Sequence, residues 1–372
     1  MVASAWSMAG APPSWRLTAA QFETLRDDEE LLNIAATVPA EKLPPLLFGA
    51  AATFLVQALR PEPLAGWFPV AGEPQPPLGA AFPAEYRQFC LDHRDRLLEL
   101  CSRHRYQMNE VGRCADLIPA LAPLVSDGRE LVLVDVGTGA GLGLHFDRYH
   151  YLYRGPGGRR SSVGDPGSSL SIEVEVRGEH APDLPSALPA ITARVGIDTE
   201  PLDLSEPGVR AWLAACIPQE IAAVTRFQLA AEIATSHPAP AVRGEACDVL
   251  PGILRGCDAG ALVCVVDSYV AVFFSPGKLR RFRGLIDTVG AERDMDWISV
   301  DPLVPMGRTA THSVLGLPAP PGVVKRNRRD GVFGVVGRLT YRGGRRQGAL
   351  LALAHPGAAW LEWISPVAGQ AY

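Results

Sequence analysis

The stretch LVLVDVGTGAGLGLHFDRY, residues 131–149, decides the class of fold. Its apolar first part ends in Asp135, and three alternating glycines, Gly137, Gly139 and Gly141, precede a new helical start. A strand that turns through glycines into a helix exposes backbone N–H groups at the edge where parallel sheets bind ligands. The stretch therefore predicts a ligand-binding loop, and the alternative is a tight turn that holds nothing.

The spacing of these glycines argues against a nicotinamide-dinucleotide site. The fingerprint GxGxxG needs a third glycine five residues after the first. Leu142 and Leu144 occupy that position in the two possible frames. We therefore expect the loop to hold a different ligand.

Apolar strands alternate with helices beyond Gly128, which predicts an α/β fold with a mostly parallel sheet and right-handed crossovers. The predicted strands are LVLVDVG, ARVGID, AVRGEA, ALVCVVDS and DWISVDPL. The predicted helices between them are EPGVRAWLAAC, PQEIAAVTRFQLAAEIAT and SPGKLRRFRGLIDTVG. Alternating, tyrosine-rich runs predict an inserted β-hairpin at about 148–190, and an antiparallel hairpin around RGGRRQG is expected to close the sheet.

Helices are predicted from Leu17 to about Ser126, where apolar residues recur at the i, i+3, i+4 spacing of a one-sided helix. The four segments are TAAQFETLRDDEELLNIAATV, EKLPPLLFGAAATFLVQAL, AEYRQFCLDHRDRLLELCSRH and EVGRCADLIPALAPLV. We therefore predict an N-terminal helical domain, residues 1–126, and a Rossmann-like domain, residues 127–372.

The composition of the chain limits the classes of partner that we expect it to have. A chain of 372 residues with 47% hydrophobic content can bury a core in more than one unit. It has no uninterrupted apolar run of about 18 residues and its start lacks a secretory-signal pattern, so we expect a cytoplasmic protein without a membrane partner. The seven scattered cysteines lack metal spacing and are expected to be reduced. The net charge is -5 and the notable basic cluster, VVKRNRRD, is short, which argues against a nucleic-acid partner because such a partner requires a wide basic face. The oligomeric state stays open.

The order Asp135, Gly137, Gly139, Gly141 resembles the first motif of class I S-adenosylmethionine-dependent methyltransferases. In that family the glycines let the backbone approach the methionyl part of the cofactor, and the acid helps to anchor it. The resemblance implies that these residues, together with Thr138, bind S-adenosylmethionine. It also implies an antiparallel strand inserted between the fifth and sixth strands, which GRLTY and GALLALAHP would supply.

Later strand ends extend this resemblance. Asp198, at the end of ARVGID, would take the ribose hydroxyls, and Glu245, in AVRGEACDVL, would meet the adenine amino group. At the end of the fourth strand, Asp267, Ser268 and Tyr269 would lie beside the sulfonium, with Tyr269 facing the substrate. The alternative for each acid is a helix N-cap or a solvated loop carboxylate.

The segment NEVGR, one helix before the first strand, suggests further contacts. Arg113 is predicted to pair with the methionyl carboxylate, and Asn109 with Glu110 to meet the ammonium group or the substrate. The alternative is a helix cap with Arg113 in solvent. Tyr149, in FDRYHYLY, could wall a substrate pocket, although alternate tyrosines on a strand more often form one packed face.

Most of the chain is similar to a bacterial family catalogued as domain of unknown function 2332. The similarity rests on QMNEVGRCADLIPAL, LVLVDVGTGAGLGLHFDRYHY, GIDTEPLDLSEPGVRAWLAACIPQ and AHPGAAWLEW. Members usually show VGASAGLNL in the loop, so Thr138 and Gly143 depart from the pattern, and the extra glycine is expected to make the loop more permissive. The family implies a fold and no established reaction.

Two functions remain. The first is an enzyme that binds S-adenosylmethionine and transfers its methyl group, or another part of the cofactor, to a small molecule; one variant is an internal cyclisation. The second is a binding protein that keeps the fold without chemistry, which the missing NPPY-type run after the fourth strand favours. No catalytic base is identified, because His145 and His150 alone form no catalytic arrangement.

Overall fold

A computed structural model of the chain describes residues 16–303, 313–330 and 333–364. These residues form two compact units. The first contains the described residues up to Glu110 together with Asp203–Ala231, and the second contains Val111–Leu202 and the described residues from Glu232 onward. This division does not coincide with the predicted boundary after residue 126, because residues 111–126 pack within the second unit. The division into domains 1–126 and 127–372 stays a prediction.

The α-helices, in chain order, are α1 (Arg16–Asp27), α2 (Glu29–Ala35), α3 (Pro44–Leu59), α4 (Phe82–Asp92), α5 (Arg94–Arg103), α6 (Cys114–Leu117), α7 (Ala122–Asp127), α8 (Pro207–Cys216), α9 (Ile221–Ser236), α10 (Ala246–Gly256), α11 (Pro276–Glu292) and α12 (Pro321–Asp330). Short 3-10 helices lie at Ala40–Lys42, Leu64–Trp67, Val111–Arg113, Ile118–Leu121, Leu142–Arg148, Pro156–Gly158 and Ala271–Phe273.

The strands are β1 (Leu131–Val136), β2 (His150–Arg154), β3 (Arg160–Gly164), β4 (Ser171–Arg177), β5 (Ile191–Asp198), β6 (Ala241–Arg243), β7 (Leu262–Ser268), β8 (Met295–Pro302), β9 (Ser313–Val314), β10 (Leu317–Pro318), β11 (Gly334–Arg342), β12 (Arg345–Ala354) and β13 (Trp360–Trp363).

The first unit is helical, as predicted, but two of its predicted helices are divided. The segment 18–38 breaks between α1 and α2 because Asp28 leaves the helix and its carboxylate accepts the N–H of Leu31 at 2.8 Å. The segment 84–104 breaks at His93, between α4 and α5. A core that includes Phe48, Phe82 and Trp212 joins these helices to α8.

The segment 110–125, predicted as one helix, is a chain of short turns in the second unit. Two 3-10 helices alternate with α6 and α7. Pro119 and Pro123 each stand in the first turn of a new short helix, where the missing N–H of proline leaves no bond unmade.

The second unit is built on an eleven-stranded sheet with the order β3-β2-β4-β13-β12-β11-β8-β7-β1-β5-β6. The block β6-β5-β1-β7-β8 is parallel throughout. The strand β11 is antiparallel to both β8 and β12. The five predicted strands and the closing hairpin are therefore present, in a mixed α/β sheet.

The insertion at about 148–190 is more than a hairpin. The strands β2 and β3 form the antiparallel pair, and β4 adds to it in parallel. Because β4 also pairs in parallel with β13, the insertion continues the main sheet.

The strand β1 occupies the point where the chain changes direction across the sheet. Its neighbours are β5 on one side and β7 on the other, and Val136 lies beside both Ile197 and Asp267. The carboxyl ends of β1, β5 and β7 therefore meet at one edge, the usual place of a ligand in an open α/β sheet.

Candidate functional site

The three alternating glycines all have left-handed backbone. The φ angles are 73° at Gly137, 55° at Gly139 and 75° at Gly141. A Cβ atom on Gly137 would also lie 2.3 Å from Cγ2 of Val270. Side chains are unfavourable at φ values of this kind, so the loop after β1 requires glycine and presents bare backbone.

The helix expected after the glycines is absent. A 3-10 helix, Leu142–Arg148, follows instead, and His145 inside it has non-helical angles of φ -109° and ψ 17°. The segment contains Gly143 in its first turn, which disfavours a regular helix. The loop therefore has no long helix dipole behind it, and the N–H groups of its three glycines donate to the carbonyls of Ile197 and Thr138 and to the Asp198 carboxylate.

The carboxylate of Asp198 ties the end of β5 to the glycine loop. Its Oδ2 accepts the main-chain N–H of Gly139 at 2.9 Å, and its Oδ1 accepts the N–H of Glu200 at 2.9 Å. The N–H of Gly137 donates to the carbonyl of Ile197 at 2.7 Å. The predicted strand-two acid thus stands at the expected edge and holds the loop in place.

Asp135 lies beneath the loop and is 9% exposed. The hydroxyl of Thr138 donates to its Oδ2 at 2.8 Å. Burial, with smaller contributions from the carboxylates of Asp267 and Asp198, raises the pKa of Asp135 to about 7 against the lowering effect of the Thr138 bond. A Cβ on Gly143 would lie 3.0 Å from the same Oδ2, so the extra glycine makes room for this carboxyl group.

Asp267 points into the protein core. Its carboxylate accepts the indole N–H of Trp297 at 2.6 Å and the hydroxyl of Ser299 at 2.7 Å. Burial raises its pKa to about 6. Burial and the charge of Asp267 raise the pKa of Asp301, whose Oδ1 accepts the N–H of Val272 at 3.3 Å. Both oxygens of Asp267 therefore accept hydrogen bonds from core residues, and its position beside the sulfonium stays a prediction.

Tyr269 follows β7 in a left-handed conformation, with a φ of 58°. The guanidinium carbon of Arg113 lies 3.9 Å from the centre of its ring, and the Nε–H of Arg113 donates to the carbonyl of Pro356 at 2.8 Å. A Cβ on Gly334 would lie 2.7 Å from the Tyr269 hydroxyl oxygen. Among the described residues, neither that hydroxyl nor the buried Oγ of Ser268 has a hydrogen-bond partner. Non-glycine residues in this conformation cost free energy and are frequent at functional sites.

Two other predicted side chains have structural partners. Glu245 forms an ion pair with Lys278 and is about half-exposed. Tyr149 is fully buried, and its hydroxyl donates to the carbonyl of Leu142 at 2.8 Å. Tyr149 therefore belongs to a packed face that supports the loop, and it offers no free surface to a substrate.

Asn109 and Glu110 belong to the first unit. The amide of Asn109 donates to the carbonyl of Gln107 at 3.3 Å, and Glu110 forms an ion pair with Arg226 at 3.0 Å. Arg113 belongs to the second unit and is buried, which excludes the solvent-face alternative for this residue.

Several residues that shape the site gave little signal in the sequence. Val270 packs against Gly137. Gly196 leaves room for Thr138, because a Cβ at position 196 would lie 2.4 Å from the Thr138 Cγ2 atom. Trp297 and Ser299 take up the Asp267 carboxylate. All depend on contacts between segments that are distant in the chain, whereas Gly196 inside a strand was a detectable sign of close approach.

Within 16–303, 313–330 and 333–364 no cluster of three or more histidine, cysteine or acidic side chains is arranged to bind a metal ion. None of the helices described there has the length and apolar character that crossing a bilayer requires.

The fold and its loop define a mixed α/β protein with a glycine-rich turn at the switch point of its sheet. Residues 8–363 match the family model described as "Uncharacterized protein conserved in bacteria (DUF2332)", and the chain belongs to this family. No curated protein matches the chain significantly. Among solved structures, the chain is similar to the X-ray structure of the sugar N-methyltransferase KedS8 from Streptoalloteichus sp ATCC 53650, at 13% sequence identity over 77% of this chain and 83% of that chain, with a TM-score of 0.21.

Proposed function

We propose that this protein is an enzyme that binds S-adenosylmethionine at the glycine loop and transfers its methyl group to a small molecule. One observation carries the proposal: three left-handed glycines stand at the carboxyl end of β1, and the Asp198 carboxylate of the neighbouring strand is bonded to the second of them. This combination of bare backbone and strand-end acid resembles the cofactor cradle of class I methyltransferases.

The strand order supports the same class of fold. The parallel block β6-β5-β1-β7-β8, followed by the antiparallel β11, has the arrangement expected for a class I sheet with an inserted antiparallel strand. One departure is clear: β11 precedes β12 in the chain, so the inserted strand is the first of its hairpin. The 3-10 helix after the glycines is a second departure.

The residues at the strand ends fit the cofactor in part. The three left-handed glycines present backbone without side chains, and each oxygen of Asp198 accepts one backbone N–H and keeps a lone pair for a ribose hydroxyl. Asp135 would brace the loop through Thr138. The bound cofactor would supply an electrophilic methyl group on a sulfonium, and the protein's part would be orientation and exclusion of water. Arg113 remains a proposed contact of the methionyl carboxylate.

The alternative is a cofactor-binding protein without chemistry. It is favoured by Asp267, since the carboxylate expected beside the reacting centre is held in the core by Trp297 and Ser299. Transfer of another part of the cofactor, or an internal cyclisation, is a variant of the enzymatic proposal.

Ligand-dependent thermal stability tests the binding step. S-adenosylhomocysteine should raise the melting temperature, because a ligand that binds only the folded state stabilises it by mass action, whereas NAD and ATP should not. A rise with NAD and none with S-adenosylhomocysteine would overturn the proposal.

Turnover tests the chemical step. Cofactor labelled in the methyl group and, separately, in the aminocarboxypropyl chain is incubated with the protein and a small-molecule metabolite extract. Label transferred from the methyl group supports methyl transfer, and label transferred from the chain supports the variant. Binding without release of any product supports the non-catalytic alternative.

A further inference from the structure

A second pocket lies in the inserted part of the sheet. It is formed by the turn between β2 and β3, residues 155–159, and by the segment 178–184 that follows β4. Its volume is about 190 Å³. Five strands separate β4 from β1 in the sheet, which at about 4.8 Å per strand places this pocket far from the glycine loop.

The base of this insertion pocket is apolar. Val176 is buried, and Pro182 and Leu184 line the side formed by the segment after β4. Tyr153 also lines the pocket, but its hydroxyl donates to the carbonyl of Ala115 at 2.7 Å and offers only its ring. A ligand with an apolar body would remove this surface from water.

The rim carries opposite charges on its two sides. Arg159 lies on the turn, and Glu179 lies on the segment after β4. Within the described residues neither side chain has an ion pair or a hydrogen bond, whereas on the adjoining strands Arg154 pairs with Glu173 and Arg177 pairs with Glu175. Two oppositely charged residues that line one pocket without pairing with each other are complementary to a ligand that carries both a positive and a negative charge.

Both sides of the pocket are fixed to the sheet. The N–H of Gly155 donates to the carbonyl of Arg159 at 2.8 Å and closes the turn. On the other side, the backbone of His180 forms a bridge to Trp363 of β13. Gly178 has a φ of 83°, which sets the bend from which Glu179 projects. The charged groups therefore project from anchored backbone.

We propose that the insertion pocket binds a small zwitterion with an apolar side chain, of the α-amino acid class. The ligand carboxylate pairs with the Arg159 guanidinium, which offers two parallel donors, and the ligand ammonium pairs with the Glu179 carboxylate. The apolar side chain lies on Val176 and Leu184. Because both ion pairs lie at an open rim, the dissociation constant is on the order of millimolar.

The test uses L-leucine as the probe and the full chain as the protein. Saturation-transfer NMR titrations measure the dissociation constant for wild type, Arg159→Gln and Glu179→Gln. The expected result is saturable binding by wild type, weakened about twofold to fivefold in each variant. Arg160→Gln and Asp183→Asn are matched controls, since these exposed neighbours do not line the pocket, and both should bind as wild type does.

Modified ligands assign each charge to its partner. L-leucinamide lacks the carboxylate, so it should bind wild type more weakly than L-leucine does. Its affinity for Arg159→Gln should equal its affinity for wild type. N-acetyl-L-leucine lacks the ammonium and should behave in the same way with Glu179→Gln. Absence of saturable leucine binding by wild type, or equal binding by wild type and both rim variants, overturns the proposal.

Discussion

The carboxylate of Asp198 and the main-chain N–H of Gly139 are joined by a hydrogen bond of 2.9 Å across 59 residues of sequence. This bond connects the end of β5 to the middle glycine of the loop after β1. The same carboxylate caps the turn at Glu200 through its other oxygen. Asp198 is therefore part of the structure of the loop as well as a proposed ribose contact, and its substitution should affect stability and binding together.

Asp198→Asn should lower the free energy of unfolding by about 1–3 kcal/mol, because the amide NH2 group would face a backbone N–H that now has no acceptor. The affinity for S-adenosylhomocysteine should fall about tenfold to a hundredfold. Denaturant unfolding and ligand titration measure the two effects. Asp203→Asn is the control: this carboxylate is exposed, and its Oδ1 accepts the N–H of Ser205 at 2.8 Å. A larger loss at Asp203 than at Asp198 would show that the wrong acid has been assigned.

Gly139→Val should abolish the proposed stabilisation by S-adenosylhomocysteine, because a branched side chain would stand where we propose that the cofactor approaches the backbone. It should also cost about 1–3 kcal/mol of stability, since valine is strained at a φ of 55°. Gly128→Val separates the two effects: Gly128 has a φ of 76°, and a Cβ there meets no atom within 4 Å. Both variants should melt earlier than wild type, and only Gly128→Val should still respond to ligand. If Gly139→Val still binds S-adenosylhomocysteine, the glycine loop is not part of the binding site.

Tyr269→Phe should leave the free energy of unfolding unchanged or raise it. The ring and its contact with Arg113 remain, while a buried hydroxyl without a partner among the described residues is removed. Tyr149→Phe is the matched comparison and should lose about 1 kcal/mol, because the Tyr149 hydroxyl donates to the carbonyl of Leu142. Both changes in the free energy of unfolding are obtained from the midpoints of urea unfolding curves that have the same denaturant dependence as wild type. Equal losses in the two variants would mean that the Tyr269 hydroxyl has a structural partner.

Asp135 should make the protein less stable as pH rises. Its pKa is about 7 in the folded protein and about 4 in an unfolded chain, so between these values the folded state holds a proton that the unfolded state has released. The contribution of the Asp135 proton to the free energy of unfolding is therefore fully present below about pH 4 and is lost as pH rises towards 7. Asp135→Asn lacks this titration, and its stability relative to wild type should increase across the same window. Asp203→Asn should show no such increase, because hydrogen bonds from Ser205 lower the pKa of Asp203. If the free energy of unfolding of wild type and of Asp135→Asn depends on pH in the same way, burial does not raise the pKa of Asp135.

The sequence predicted what depends on local patterns. The parallel strands, the closing hairpin and the strand-end position of Asp198 follow from apolar runs that end in acids or turns. The break at Asp28 was also readable, since an aspartate before two glutamates is a helix N-cap pattern.

Other features depend on contacts that no local pattern carries. Glu245 is predicted to meet the adenine, and Lys278 on a later helix pairs with it. Asp267 is predicted to lie beside the sulfonium, and it points inward because Trp297 and Ser299 on β8 supply donors there. Both cofactor contacts stay predictions. The direction of a side chain at a strand end is set by its neighbours in the sheet, and those neighbours come from elsewhere in the chain.

The pairing of β4 with β13 has a consequence for folding during synthesis. Residues 360–362 pair with residues 175–177, so the ribosome must make roughly half of the chain after β4 before its partner exists. The three strands β2, β3 and β4 must therefore wait with one edge open, and such unpaired edges are prone to association between chains. We expect this nascent protein to depend on chaperones until β13 emerges, and nascent-chain proteolysis should find β4 protected only afterwards.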